Sequence, residues 1–435
     1  MTQKTKNEGK LADSSFAREI QKQKKKKNKS FAIPKLEVDL FNQILISSGV
    51  DATQKFTQIS KGKSVVEPSN DNTDQMDVYR AMTIHFPEVI LMDILSRLPA
   101  QSLLRFKCVS KFWETLISEP YFKMKHLNRA KNDQDSQKFL TSQMCCKNGI
   151  VSMYCRPLSP VQLFQNAQKL DCPLSPTPLR CTIHCCYDGL AVIEVLDNLD
   201  AEYSTLLLWN PSTRESIVLP SPEFPGERIS CFGLGYDSTS GEYKILQIYQ
   251  GCNLPCEILA LKSGSWRRTD KYRRGSLLFA MKYLTFVHAA FHWIGISRNY
   301  AVVVSFSISN EVYGEIPLPE EMSGLRDAIG ITVLEGMLCA HSISFHRRKH
   351  TIKLWVLKEY DIKESWIPLL SIEDPSISLS IPKYRFADGE VLFWCSAGVL
   401  FGTRSGPYGA WPRCDIILDA HAFTESLISP RSLTY

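Results

Sequence analysis

The chain has 435 residues, and its hydrophobic (44%) and charged (22%) fractions are those of an ordinary globular protein. Its net charge of +6 is concentrated at one end: residues 1–30 carry ten Lys or Arg against three Asp or Glu, and the remainder sums to −1. A globular nucleic-acid-binding protein carries its own basic face, so this distribution disfavours that class. The apolar runs, such as AVVVSF at 301–306, are too short to span a membrane.

The N-terminal segment, residues 1–80, is predicted to be a disordered basic tail and linker. No apolar stretch typical of a secretory signal opens it, so we expect an intracellular chain, in the nucleus and/or cytoplasm, with reduced cysteines. Lys24, Lys25, Lys26 and Lys27 form a candidate nuclear import signal, and a solvated tail is the alternative. Residues 36–48 show apolar side chains at helical spacing and predict one amphipathic helix.

Residues 81–125 contain the stretch FPEVILMDILSRLPAQSLLRFKCVSKFW and predict three short helices. Pro87 suits the first turn of a helix, where its missing N–H costs nothing. Pro99 ends the first helix, and Glu119-Pro120 ends the third. This segment holds more large apolar side chains than three short helices can hide from water. Either a permanent partner or the rest of the same chain must cover them.

The same residues resemble an F-box in its plant form. The resemblance is carried by these phrases: Pro87, Ile94-Leu95-Ser96-Arg97-Leu98-Pro99, Ser102-Leu103-Leu104-Arg105-Phe106, Cys108-Val109-Ser110-Lys111, Trp113 and Leu116-Ile117-Ser118. It implies binding to a Skp-type adaptor, and through it to a cullin–RING ubiquitin ligase. The implied adaptor-binding residues are Phe86, Pro87, Ile90, Ile94, Leu95, Leu98, Pro99, Leu103, Val109 and Trp113. Phe86 departs from the family's usual Leu before Pro.

After a connecting segment at 126–179, residues 180–425 consist of short apolar runs separated by turn signals. STLLLWNPSTRESIVLP at 204–220 is a strand, a turn and a strand, and similar units recur about every forty to fifty residues. This pattern predicts an all-β propeller-like domain of undetermined blade number, with a β-sandwich as the alternative. Residues 426–435 are expected to be a C-terminal tail. The fold class is thus α+β multidomain, with a short three-helix module before the β domain.

The β region resembles the plant F-box-associated domain. Its phrases occur in order: Asp188-Gly189-Leu190, Trp209-Asn210-Pro211-Ser212, Gly233-Leu234-Gly235-Tyr236-Asp237, Tyr243-Lys244-Ile245, Ser265-Trp266, His292-Trp293, Trp355-Val356-Leu357 and Ser365-Trp366. The resemblance implies a kelch-like fold that recruits substrates. Tyr187-Asp188 departs from the more typical Cys-Asn before Gly-Leu.

Loops on such a scaffold are the expected recognition elements. Trp209, Trp293 and Trp355 lie within strand patterns and are predicted to be core residues. Trp411, in the Gly/Pro-rich stretch SGPYGAWPR, is a candidate for exposed contact with a substrate. Arg326, Arg347 and Arg348 are further candidates, the last two in a basic turn between strands that can also be a solvated hairpin tip.

The sequence shows no convincing catalytic or metal-binding motif. It contains no GxxxxGK[ST] loop, no HExxH and no GxSxG elbow. Cys181, His184, Cys185 and Cys186 lack a second half-site at ligand spacing, and His292 lies in a strand pattern. We therefore expect no catalytic residue, metal or cofactor.

The sequence predicts a non-catalytic substrate-recognition subunit of a Skp–cullin–F-box ubiquitin ligase, whose protein substrate it does not identify. Three alternatives stay open at this point: a protein-binding propeller that acts outside a ligase, a propeller enzyme and a basic-tailed nucleic-acid binder.

Overall fold

The computed structural model describes residues 30–34, 83–159, 167–197, 204–222, 230–249, 256–270, 284–296, 301–322, 328–346, 349–360, 362, 365–374, 380–395, 398–408 and 415–434. The chain divides into two compact units, residues 1–132 and 133–435. The predicted helix at 36–48 lies outside the described residues.

Among its described residues, the first unit contains one strand pair and four helices. Its elements are β1 (Ser30–Pro34), β2 (Thr83–Pro87), α1 (Glu88–Leu95), α2 (Ala100–Lys107), α3 (Lys111–Ser118) and α4 (Pro120–Ala130). Strands β1 and β2 are antiparallel, with Ser30 opposite Pro87. Ser30–Pro34 was expected to be part of the disordered tail and instead forms a strand.

Pro87 and Pro120 have positions that the sequence did not fully predict. Pro87 is the last residue of a strand, and the helix starts one residue later, at Glu88. Pro120 does end α3, but it also occupies the first position of an unpredicted fourth helix. Proline disfavours helical geometry only in the residue before it and suits the first turn of the next helix, so one Pro can separate two helices.

Large side chains fill the interior of the helical module. Trp113 is 1% exposed and contacts both Phe106 and Phe112, with ring centroids 5.6 and 5.3 Å apart. The buried His126 of α4 lies 3.0 Å, through Nε2, from the carbonyl oxygen of Leu98, beyond the end of α1. Burial lowers the pKa of His126, so the imidazole is neutral at neutral pH. The fourth helix thus belongs to the module's core.

Within the described residues, the second unit contains six four-stranded antiparallel sheets, which are the blades of a propeller. Blade 1 comprises β26 (Asp415–Thr424), β3 (Gln137–Cys145), β4 (Val151–Pro157) and β5 (Gln168–Leu170). Blade 2 comprises β6 (Arg180–Tyr187), β7 (Leu190–Leu196), β8 (Thr205–Trp209) and β9 (Ser216–Val218). Blade 3 comprises β10 (Ser230–Asp237), β11 (Glu242–Tyr249), β12 (Glu257–Ala260) and β13 (Ser265–Arg268).

The other three blades follow the same order along the chain. Blade 4 comprises β14 (Thr285–Val287), β15 (Ala290–Ile296), β16 (Ala301–Ser307) and β17 (Tyr313–Pro317). Blade 5 comprises β18 (Ala328–Leu334), β19 (Met337–His346), β20 (Lys349–Leu357) and β21 (Trp366–Glu373). Blade 6 comprises β22 (Ser380–Arg385), β23 (Val391–Cys395), β24 (Val399–Gly402) and β25 (Gly406–Tyr408). The propeller prediction is therefore confirmed, and the sandwich alternative is wrong.

The ring is closed by pairing the C-terminal strand with the first strand of the unit. Strand β26 runs antiparallel to β3, with Thr424 opposite Gln137. The expected connecting segment, 126–179, is therefore wrong, because it supplies three strands of blade 1. The expected tail, 426–435, is also wrong: Ser426, Leu427 and Ile428 are buried, and a 3₁₀ helix follows at Pro430–Leu433.

Apolar clusters between successive blades hold the propeller together. The cluster between blades 1 and 2 includes Leu140, Ile193 and Trp209, and the cluster between blades 3 and 4 includes Ile258 and Trp293. Trp209, Trp293 and Trp355 are all 5% exposed or less, which confirms their prediction as core residues. Fully burying a large apolar side chain contributes about 1.5–3 kcal/mol.

The glycines of the phrase GLGYD permit close packing between blades 3 and 4. A Cβ atom on Gly233 would lie 2.8 Å from Leu284 Cδ2, and one on Gly235 would lie 2.5 Å from Phe286 Cε2. Real Cβ atoms do not approach other atoms so closely, so a larger residue would push β14 away from β10. The sequence pattern placed these glycines only in a turn-and-strand segment.

The repeated Ser-Trp phrase links neighbouring blades. Trp266 of β13 donates its Nε1–H to the carbonyl oxygen of Pro220, 2.8 Å away at the end of blade 2. Trp366 of β21 donates in the same way to Pro317 at the end of blade 4, at 2.9 Å. Each outer-strand tryptophan thus fastens its own blade to the preceding one.

Replacing Trp266 with phenylalanine should lower the free energy of unfolding by about 1 kcal/mol, because an aromatic side chain stays in place while one hydrogen bond is lost. Urea unfolding monitored by circular dichroism would measure this change. Trp366→Phe should have a similar effect, since its bond has the same geometry. Wild-type stability in both variants would contradict the linking role.

Candidate functional site

The helical module presents an apolar side chain to solvent on helix α1. Val89 is 74% exposed, and its neighbour Ile90 is partly exposed. On a helix, residues four apart share a face, so Val89 lies in line with Asp93. Among the described residues of the predicted adaptor-binding stretch, Val89 is the most exposed large apolar side chain.

The structure separates the predicted adaptor-binding residues into two groups. Five are buried in the folded chain, at 6% exposure or less: Ile94, Leu95, Leu98, Leu103 and Trp113. An apolar side chain inside the core has no surface left to offer a partner, so these five fit the core positions of the motif, and their part in adaptor binding stays a prediction. Ile90, Pro99 and Val109 are partly exposed and stay available. The side chains of Phe86 and Pro87 lie outside the described residues.

Val89 was missed by the sequence analysis. The signal that could have found it is helical phase: Leu91 and Leu95 are buried on one face of α1, and Val89 lies on the other. One turn along the helix from Val89, Asp93 forms ion pairs. Arg97 Nη2 lies 2.8 Å from Asp93 Oδ2, and Lys125 Nζ lies 3.7 Å from Asp93 Oδ1. Burial by itself raises the pKa of Asp93, but the hydrogen bond and charge of Arg97 outweigh it and hold the pKa below its usual value.

The second candidate site is the axial channel of the propeller. Its wall is formed by the first strands of the six blades, namely β26, β6, β10, β14, β18 and β22. The cavity has a volume of about 450 Å³, within the range of ligand pockets, about 300–1,000 Å³. Most of its lining residues lie toward the C-terminal ends of these strands.

Polar side chains line one part of the channel. They include His184 and Cys186 on β6, Lys383 on β22 and His421 on β26. His184 Nε2 lies 3.0 Å from Glu194 Oε2 of β7. Burial raises the pKa of Glu194, but hydrogen bonds from His184 and Ser204 outweigh it and lower the pKa to about 2. The Glu194 carboxylate is therefore ionised at neutral pH and holds the His184 ring in place.

Aromatic side chains form the other part of the channel wall. Tyr187 and Phe286 meet edge to face, with ring centroids 5.1 Å apart and an interplanar angle of 88°. His288 and Ala289 form the tight turn between β14 and β15 and line the same cavity. The channel thus combines an apolar wall with several nitrogen-bearing side chains.

The predicted substrate-contact residues Arg326, Arg347, Arg348 and Trp411 lie outside the described residues, as do Lys24, Lys25, Lys26 and Lys27. The structure does describe the strand ends that flank the three arginines and Trp411. Strands β18 and β26 begin just after 326 and 411, and β19 and β20 meet at His346 and Lys349, on either side of 347–348. By this topology, all these strand ends lie at the face where the inner strands begin.

The cysteine and histidine positions weighed as metal ligands are packed in strands. Cys181 and Cys185 are buried in β6, and His292 of β15 lies 2.6 Å, through Nε2, from the Tyr360 hydroxyl. Across the described part of the chain, no group of three or more His, Cys, Asp or Glu side chains could hold a metal ion. The described helices are also too short or too polar to cross a membrane.

Comparison with known proteins gives matches to both units. A family model of the F-box domain matches residues 84–125, and one of the F-box associated beta propeller domain matches residues 143–386. The chain is 26% identical over 321 residues to F-box protein CPR1 of Arabidopsis thaliana, covering 66% of this chain and 73% of that protein. It is 25% identical over 374 residues to an F-box/kelch-repeat protein of the same plant, covering 80% and 97% respectively.

Proposed function

Because the chain belongs to the family of F-box proteins that carry an F-box-associated β-propeller domain, we propose that it is the substrate-recognition subunit of a Skp–cullin–F-box ubiquitin ligase. In this role the helical module binds a Skp-type adaptor, and the propeller holds a target protein. The observation that supports it most directly is the pairing of a compact F-box module with a complete six-bladed propeller in one chain.

The proposed subunit acts by proximity rather than by chemistry of its own. A separate enzyme of the ligase supplies the activated ubiquitin, and this chain raises the local concentration of the target near it. None of its side chains is required as a nucleophile or a base. Cys185 of the propeller fits this view, since burial raises the pKa of its thiol to about 12 and so keeps it protonated.

The adaptor is proposed to contact the exposed face of α1 that carries Val89. Val89→Asp should weaken binding of a Skp-type adaptor at least about tenfold, because a charge would enter an apolar contact without a partner. Co-purification followed by titration calorimetry on the full chain would measure the change. Since Val89 is 74% exposed, the substitution leaves the module's core intact, which Leu95→Asp would not.

Val312→Asp is the matched control, because Val312 is also exposed (58%) but lies in the propeller unit, between β16 and β17. It should bind the adaptor as tightly as the wild type. A wild-type chain that fails to bind any plant Skp-type adaptor would overturn the proposed function. Full binding by Val89→Asp would overturn only the assignment of this face.

A further inference from the structure

Two cysteine side chains meet where the chain passes from blade 1 to blade 2. Cys172 lies just after β5, and Cys181 is the second residue of β6. Both pack against the same apolar cluster, which also contains Met153 and Leu170 of blade 1. The Cys181 thiol donates a hydrogen bond to the Cys172 sulfur. The fold thus brings two thiols into direct contact.

The two cysteines differ in how firmly they are held. Cys181 Sγ lies 3.4 Å from Met153 Sδ, and the Cys181 carbonyl oxygen accepts a hydrogen bond from Ser142 Oγ at 2.7 Å. Cys181 itself is 1% exposed. Cys172 is partly exposed and belongs to the connection 171–179, which forms neither helix nor strand. A small reactant in solvent therefore reaches Cys172 first, and Cys172 has more freedom to move than Cys181.

Hydrogen bonds at Cys172 favour its thiolate form. Besides the Cys181 thiol, the backbone N–H groups of Leu174 and Ser175 donate to its sulfur. The bond from Cys181, joined by these two, outweighs burial and the charge of Asp197 and lowers the pKa of Cys172 to about 6. The thiolate is the nucleophilic form of cysteine. At neutral pH, Cys172 is therefore a nucleophile that already touches a second thiol.

Buried thiols elsewhere in the propeller have the opposite character. Burial raises the pKa of Cys155, of Cys185 and of Cys339 to about 12 in each case. The contact with Cys172, followed by burial, raises the pKa of Cys181 as well. Buried thiols that stay protonated are unreactive. An oxidant should therefore react with Cys172 before it reacts with these four.

We propose that Cys172 and Cys181 form a reversible disulfide when the chain meets hydrogen peroxide, and that Cys172 reacts first. The Cys172 thiolate attacks one peroxide oxygen and the O–O bond breaks, which leaves a sulfenic acid and a hydroxide that takes a proton from solvent. The Cys181 sulfur then attacks the Cys172 sulfur. The S–O bond breaks, and the departing hydroxide takes the Cys181 proton. Two thiols are oxidised to one disulfide, and one peroxide is reduced to two waters.

The disulfide would change the connection between the two blades. Cys172 must leave the N–H groups of Leu174 and Ser175 to bond with Cys181, because a disulfide holds its sulfurs closer than a hydrogen bond does. Leu174 and Leu179 of this connection are exposed, at 41% and 45%. Oxidation would therefore rearrange an exposed apolar part of the propeller. The inference does not depend on the proposed ligase role, because both cysteines lie within the propeller unit.

The test is peroxide treatment of the reduced, purified full chain, followed by alkylation, tryptic digestion without reductant and mass spectrometry. Trypsin cleaves after Arg180, between the two cysteines, so the disulfide would join two peptides. The wild type should yield the peptide pair linked through Cys172 and Cys181, and a dithiol reductant should separate it. Cys146→Ser is the matched control, because Cys146 is an exposed cysteine between β3 and β4. It should form the same link in the same amount.

Two further variants distinguish the roles of the two thiols. Cys181→Ser should lose the link and leave Cys172 as a sulfenic acid, which dimedone traps. Cys172→Ser should leave Cys181 reduced, because Cys181 is buried. No link in the wild type, or a link from Cys172 mainly to another cysteine, would overturn the proposal. A link that a dithiol does not separate would overturn its reversibility. These outcomes are read on the wild-type chain, so a variant that fails to fold leaves the test intact.

Discussion

Replacing Asn210 with alanine should lower the free energy of unfolding of the propeller by about 3 to 5 kcal/mol, because it removes a buried clamp that closes the ring. The Asn210 amide nitrogen donates to the carbonyl oxygens of Ser426 and Ile428, at 3.1 and 2.8 Å, and to Ser426 Oγ. Its amide oxygen accepts from the backbone N–H groups of Ser212 and Thr213, at 2.8 and 3.3 Å. Asn210 itself is 0% exposed.

Two of these partners lie near the end of the chain. Ser426 and Ile428 belong to the segment after β26, the strand that completes blade 1, so their bonds to Asn210 hold the end of the chain against blade 2. Alanine would leave several buried polar groups without partners, and each costs about 1–3 kcal/mol. No other side chain of the phrase WNPS could replace the forked amide, which donates on one side and accepts on the other.

Urea unfolding followed by tryptophan fluorescence would measure the change, since seven of the eight tryptophans lie in the propeller unit. Asn310→Ala is the matched control, because Asn310 is exposed and its amide oxygen makes one 3.4 Å turn bond, to Val312 N. It should change stability by less than about 0.5 kcal/mol. Equal effects of the two substitutions would show that Asn210 does not close the ring.

Asn210 also shows the limit of sequence interpretation in this fold. The sequence places it correctly at a turn after a strand, because Asn and Pro mark turns by local chemistry. Its principal partners lie 216 and 218 positions further along the chain, and no local pattern encodes them. Strand β3 was missed for a different reason. Its buried Thr141, Ser142 and Gln143 are polar and break the apolar alternation that predicts strands.

The two resemblances were confirmed, and what the sequence missed among the adaptor-site candidates was a matter of exposure. Apolar periodicity located α1, α2 and α3, and turn signals located most hairpins of the propeller. Apolar character alone does not distinguish Leu95, which is 0% exposed, from Val89, which is 74% exposed. Helical phase places them on different faces of α1, but which face is buried is decided by how the helices pack. The sequence could not predict the channel, because six strands that lie far apart in the chain together form its wall.

Replacing Lys244 with methionine should destabilise the propeller by about 3 to 5 kcal/mol, because it leaves a buried carboxylate without its cation. Lys244 Nζ lies 2.7 Å from Asp237 Oδ2 and donates to the carbonyl oxygen of Ile308 at 3.2 Å. Asp237 is 1% exposed. It also accepts hydrogen bonds from Ser240 Oγ of its own blade and Ser309 Oγ of blade 4. The pair therefore joins blades 3 and 4.

The pH dependence of stability should report the same pair. Burial alone raises the pKa of Asp237, but hydrogen bonds from Lys244, Ser309 and Ser240 outweigh it and hold the pKa well below its usual range. A folded-state pKa below the unfolded value, about 4, means that the stabilisation is present above pH 4 and is lost as the pH falls toward the folded-state pKa. Without the ammonium group the folded-state pKa should rise, so Lys244→Met should lose less stability on acidification.

Urea unfolding at pH 7 and at about pH 3 would measure both effects, the second pH lying below the unfolded pKa of Asp. Lys262→Met is the matched control, because Lys262 is an exposed lysine of the same blade, in the turn between β12 and β13. The free energy of unfolding of Lys262→Met should stay within about 0.5 kcal/mol of the wild type at both pH values. If Lys244→Met kept the acid sensitivity of the wild type, the acid-labile stability would have to come from another carboxylate.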